Sequence, residues 1–116
     1  MRTNASVVTA AMGISLFLPV AAWAQSALSG SIAGTARDAT AAVLPGVVVE
    51  AASPALIEKV RTVITDERGE YKIIDLRPGI YTVTFTLIGF STVKHEGIEL
   101  TTGFTATVSA DMRVGS

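Results

Sequence analysis

Tyr81, Val83, Phe85 and Leu87 alternate with Thr82, Thr84 and Thr86. That period of two puts apolar side chains on one face of a half-buried strand. It recurs near the end of the chain, where Phe104, Ala106, Val108, Ala110, Met112 and Val114 alternate with Thr105, Thr107, Ser109, Asp111 and Arg113. Turn chemistry separates such runs. Asp66-Glu67-Arg68-Gly69 is a polar turn in which Gly69 is free to take positive φ. In Arg77-Pro78-Gly79, Pro78 pre-sets φ and Gly79 is expected to take a left-handed corner. Pro45-Gly46 ends a loop that begins at Asp38, and Gly89-Phe90 closes the Tyr81 strand.

Seven strands are predicted, over 28–37, 47–52, 58–65, 70–76, 80–87, 91–100 and 104–114. Gly30 and Gly34 weaken the first and mark a bulge or a close approach of another backbone. In the third, Val60, Thr62 and Ile64 are expected to oppose Lys59, Arg61 and Val63. Short strands with a turn signal every 8–12 residues or so predict an all-β, Ig-like sandwich of two sheets. Its expected core is Ile32, Val47, Val49, Val60, Ile64, Tyr71, Ile73, Tyr81, Val83, Phe85, Phe104 and Val108.

The first 24 residues break this pattern. Arg2 precedes an apolar run through Leu16-Phe17-Leu18-Pro19-Val20 that ends in Ala22-Trp23-Ala24. A basic start, an apolar centre and a small-x-small ending predict a secretory signal peptide over 1–24, cleaved after Ala24. The sandwich then occupies 25–116. Pro19 and the lack of basic residues after the run favour cleavage over a membrane anchor. Removing the leader takes away Arg2 and no acid, which leaves eight basic residues against ten acidic ones. A slightly acidic chain lacks the basic stripe of a nucleic-acid binder. With no cysteine, the exported domain depends on packing rather than disulfides.

Three spaced motifs carry a family likeness: G-S-I-A-G-T-A-R-D-A-T-A-A-V-L-P-G-V-V-V-E, then T-D-E-R-G-E-Y, then L-R-P-G-I-Y-T-V-T-F with I-G-F. They resemble the carboxypeptidase regulatory-like domain, which implies a transthyretin-like (prealbumin-type) sandwich close to Cna B-type modules. In the first loop, Ala41 or Ala42 stands where such domains often carry Gly. A leader followed by one such domain, with S-P-A-L-I-E-K-V-R-T, also resembles the N-terminus of a TonB-dependent outer-membrane receptor. The resemblance implies a periplasmic or outer-membrane-associated interaction or spacer module. Its partner would be a cell-envelope protein, or a plug and barrel downstream in the same receptor. The sequence stops at Ser116, so it reads either as a fragment of such a receptor or as a module secreted alone.

The chemistry is sparse. His95 is the only histidine, too few ligands for a zinc peptidase, and it is expected to be a solvated strand residue. No catalytic residue, metal or cofactor is predicted. Asp66, Glu67 and Glu70 are too few oxygens for calcium, and an Asx turn accounts for Asp66. Asn4 is the only asparagine and lies in the leader, which excludes a Lys–Asn isopeptide bond. A Lys–Asp version through Lys59, Lys72 or Lys94 would leave the chain one water lighter. The site residues are therefore structural turns: Gly46, Asp66, Gly69, Pro78, Gly79 and Gly89. The loop from Asp38 to Gly46 and the threonine faces (Thr82, Thr84, Thr86; Thr105, Thr107) are the expected contact surfaces. The rival reading is a secreted carbohydrate-binding module, whose aromatic platform would fall to Tyr71 and Phe90 beside turns.

Overall fold

The longest alternating run becomes β5, Gly79–Thr86, in a computed structural model that describes residues 28–115. The predicted leader over 1–24 lies outside the described residues. Around β5 stand β1 (Gly30–Asp38), β2 (Val48–Ala52), β3 (Val60–Ile64), β4 (Glu70–Leu76), β6 (Val93–Leu100), β7 (Thr105–Thr107) and β8 (Ala110–Met112). One sheet runs β3-β2-β5-β6, entirely antiparallel. In the other, β4 pairs antiparallel with β1, while β7 and β8 pair parallel with successive halves of β1. The protein is an all-β sandwich of two sheets, with no helix among the described residues.

The inner faces meet in one core. Tyr81, Phe85, Ile32, Ile73, Leu76, Leu100 and Met112 are its largest fully buried side chains, with Val47, Val49 and Val83 among them. Fully burying an apolar side chain of this size contributes about 1.5–3 kcal/mol, so these positions dominate the stability of a domain without disulfides. The Tyr71 and Phe85 rings meet edge to face with centroids 5.7 Å apart. Tyr71 donates its hydroxyl to the Val108 carbonyl at 2.5 Å, and Tyr81 donates to the Arg77 carbonyl four residues back at 2.6 Å. Both phenols are thus buried with a partner, which removes the cost of an unmade hydrogen bond.

The strand count and several core positions differ from the prediction. The seventh predicted strand is two, β7 and β8, so the sandwich has eight strands. The ladder breaks where the Ser109 hydroxyl, not a backbone carbonyl, accepts the Thr35 N–H at 3.1 Å. Val108 N–H still donates to the Ala33 carbonyl at 2.8 Å, drawing that backbone onto Gly34. A Cβ at Gly34 would lie 1.9 Å from the Val108 carbonyl oxygen, so only glycine admits the approach.

In β3 the predicted phase is inverted. Register pairs Val63 with buried Val49 and Ile64 with Val48. Opposed residues share a face, so Val63 and Arg61 turn inward and Val60 and Ile64 are exposed at 42% and 62%. Arg61 is tolerated there because its guanidinium leaves the core edgewise and donates to the Ile74 carbonyl of β4 at 2.9 Å. That carbonyl sits at a bulge, where β4 gains a residue on β1 and Asp75 takes φ 57°. Phe104, also expected in the core, is half exposed. It closes a turn by donating its N–H to the Thr101 carbonyl, and β7 begins only after it.

Candidate functional site

Register sorts the predicted turn residues to the two ends of the sandwich. Val48 lies opposite both Ile64 and Thr86, so the loops holding Gly46, Asp66, Gly69 and Gly89 emerge at one end. Pro78 and Gly79 belong to the other end, where Gly79 pairs with Leu100. Gly46, Gly69 and Gly89 have φ of 80°, 73° and 89°. Gly79 does not take the left-handed corner expected of it. It opens β5 in extended geometry, and a Cβ there would lie 2.8 Å from that of Ala55. Close packing, not a turn, is what glycine serves at this position.

Thr65 organises the first end. It is 4% exposed; its hydroxyl donates to the Leu44 carbonyl at 2.7 Å and accepts the Val47 N–H at 2.9 Å. Its carbonyl accepts the Gly46 N–H at 3.1 Å. The Gly69 carbonyl accepts the Ala36 N–H and the Ala36 carbonyl accepts the Leu44 N–H, so β1 ties the Asp66–Gly69 turn to the Asp38–Gly46 loop. Each of these two segments winds around an aspartate. Asp38 Oδ1 accepts the Thr40 hydroxyl at 2.7 Å and the N–H groups of Thr40 and Ala42. Asp66 Oδ1 accepts the N–H groups of Arg68 and Glu70 at 2.8 and 2.9 Å. The Thr40 hydroxyl first, then the amides, hold the Asp38 carboxyl below the usual carboxylate range. The Glu70 and Arg68 amides do the same for Asp66. Donors aimed at the ionised form account for both shifts. Nothing in the sequence except the D-x-T and D-x-x-G spacings announced these caps, and Thr65 read as a strand end.

The threonine surface lies on the outside of the β3-β2-β5-β6 sheet. Ile64, Val48 and Thr86 form one row across it, Thr62, Glu50, Thr84 and Lys94 a second, and Val60, Ala52 and Thr82 a third. On the other sheet the Thr105 hydroxyl lies 2.9 Å from that of Ser31. His95 is not solvated as expected. It pairs with buried Val83, its ring meets Phe85 edge to face at 6.0 Å, and its Nε2 is enclosed without a hydrogen-bond partner.

Lys59, Lys72 and Lys94 are all exposed. Among the described residues no group of three or more His, Cys, Asp and Glu is placed to hold a metal ion. The aromatic platform sought at Tyr71 and Phe90 does not form there: Tyr71 is buried and Phe90 rests against the core. Among the described residues Phe104 is the exposed aromatic instead, beside a hollow lined by Ser31, Asp75, Gly103 and Thr105.

These features describe a β-sandwich module whose loops are held by side-chain caps. The chain belongs to the carboxypeptidase regulatory-like domain family, which matches residues 31–113. Domains of that family are generally non-catalytic β-sandwiches. Among solved structures it is similar to the Bacillus anthracis TIE protein, with 26% identity and a TM-score of 0.60 over 74% of this chain and 16% of that one. A type II cohesin–X-dockerin complex from Acetivibrio cellulolyticus gives 22% identity and 0.58 over 74% and 58%. A putative carbohydrate-binding protein from Bacteroides uniformis gives 16% and 0.56 over 72% and 40%. The chain thus spans less than two thirds of the length of each, and the last two show the fold alone. No curated protein sequence matches it.

Proposed function

We propose that this chain is a non-enzymatic, exported interaction or spacer module, the N-terminal periplasmic domain of a TonB-dependent outer-membrane receptor. The observation that carries the non-enzymatic part is the use of the polar groups at the loop end. Asp38, Asp66 and Thr65 are engaged in holding their own backbone, and His95 faces the core. The Thr40 hydroxyl that donates to Asp38 belongs to the same loop cap, which supports a structural rather than a catalytic use of that pair. The leader pattern and the S-P-A-L-I-E-K-V-R-T motif support export and the receptor context.

Two experiments test the reading. The genomic locus is read past the codon for Ser116: a frame continuing into a plug and alternating barrel strands supports the receptor assignment, and a stop codon removes it. The purified chain is then assayed on peptide and ester substrates, where turnover above a heat-killed control would end the non-enzymatic reading. The second reading, carbohydrate binding, rests on Phe104. Saturable glycan binding that Phe104→Ala abolishes would replace the spacer role.

A further inference from the structure

The two sheets have four edges, and three are protected against pairing with another chain. β6 is bulged, pairing Tyr81 with Ile98 but Val83 with His95, with Gly97 at φ 73° and charges at Lys94, Glu96 and Glu99. β4 is bulged at Asp75 and carries Glu70 and Lys72. The last edge is broken into β7 and β8, three residues each. Bulges, charges and short strands are the devices that keep edges apart. β3 has no bulge: its register with β2 is unbroken from Ile64 to Val60. Its one charge, Arg61, is turned toward β4 and engaged there.

The alternation of antiparallel hydrogen bonds fixes which groups β3 leaves open. Thr65 directs both its N–H and its carbonyl at β2, and the Lys59 carbonyl accepts the Ser53 N–H on the same side. The odd-numbered residues of β3 therefore face β2, and Val60, Thr62 and Ile64 present their N–H and C=O groups at the open edge. We propose that β3 is the surface through which two copies of this chain associate, pairing antiparallel about a two-fold axis at Thr62.

That register is self-complementary. Thr62 meets Thr62 of the second copy, and Val60 meets Ile64 in both directions, so all three outward-facing residues on each strand find partners at once. The side chains brought together on the outer face are the exposed, β-branched Val60 and Ile64, a favourable cross-strand pair. A shift of two residues in either direction loses one of the three pairings. Within the paired rows the nearest like charges on that face, Glu50 and its counterpart, are three strand spacings apart, about 14 Å, beyond the Debye length of about 8 Å. Glu58 and Asp66, which the same register would set opposite each other, lie outside β3, past the turns that end it. The chain turns away at Lys59, with φ 71°, and at the Asp66 turn, which confines the contact to the strand. Three pairs bury far less than the roughly 1,200–2,000 Å² of a stable complex, so the dimer is weak and concentration-dependent. The inference stands apart from the receptor assignment.

Sedimentation equilibrium of the full chain up to about 1 mM tests it. A monomer–dimer equilibrium is expected, and Ile64→Lys should abolish it without lowering the melting temperature. Should that variant misfold, Thr62→Lys serves instead. Because the chain has no cysteine, Thr62→Cys should oxidise to a disulfide-linked dimer, since directly paired strand residues lie within disulfide reach. Val60→Cys should cross-link with Ile64→Cys in a mixture but not with itself. A chain that stays monomeric overturns the proposal, even if an extended peptide then binds at β3. So does a Thr107→Cys control on β7 that cross-links as fast as Thr62→Cys.

Discussion

Replacing Tyr71 by Phe removes one atom from the junction of the two sheets. The hydroxyl donates to the Val108 carbonyl at 2.5 Å in a buried setting, and Val108 is the residue whose backbone rests on Gly34. Losing the donor leaves a buried carbonyl unsatisfied, at a cost of about 1–3 kcal/mol at neutral pH. For a domain of this size each kcal/mol lowers the melting temperature by about 4–8 °C, which calorimetry reads directly. A second arm uses pH. Burial pushes the Tyr71 phenol well above its ordinary range, and burial raises Tyr81 as well. A raised folded-state pKa stabilises fully below the unfolded value near 10 and is lost as pH rises through the folded one. The parent should therefore lose stability above about pH 10, and the gap to Tyr71→Phe should narrow there. Tyr71→Phe retains the Tyr81 share; only the double Phe variant should be flat. A neutral-pH cost below about 0.5 kcal/mol, or parallel alkaline curves for parent and Tyr71→Phe, would refute the reasoning.

Phe85→Ala opens a cavity beneath Tyr71 and His95 and should cost about 3–5 kcal/mol in urea titration; a shift under about half a kcal/mol would remove Phe85 from the core. Gly34→Ala should unfold the β1–β7 junction, since its Cβ has no room against the Val108 carbonyl; unchanged amide-exchange protection at Ala33 and Val108 would contradict the close approach. Asp66→Asn keeps an acceptor for the Arg68 and Glu70 amides but removes the charge whose pKa they lower. That charge stabilises above the unfolded carboxyl pKa and its contribution is lost as pH falls through the depressed folded one. The melting temperature of Asp66→Asn should accordingly fall less on acidification than the parent's, and superimposable curves would count against the cap.

Fold class was legible in the sequence because its cues are local. β5 shows a strict period of two from Tyr81 to Phe85, and Asp66 and Gly69 stand at the offsets a turn requires. β3 was misread because apolar residues stand at Val60, Val63 and Ile64, on both faces of a five-residue strand. Only the pairing of Val63 with Val49 selects the inner face, and pairing is not a local property. Phe104 shared the parity of the buried Ala106 and Val108, but it precedes the strand and closes a turn. The inward position of His95 was hidden by the Gly97 bulge, which shifts the register between Ile98 and His95. The cap at Thr65 joins positions 18 and 21 residues apart, and no spacing rule foretells it.

The parallel pairing of β1 with β7 and β8 has a mechanical consequence. The first strand and the last two run in the same direction along one ladder. A pull on the two ends of the domain draws β1 one way and β8 the other, along the strand axis rather than across it. The hydrogen bonds of that seam are then loaded side by side, and none yields before its neighbours do. A module built this way transmits tension along its length as a unit.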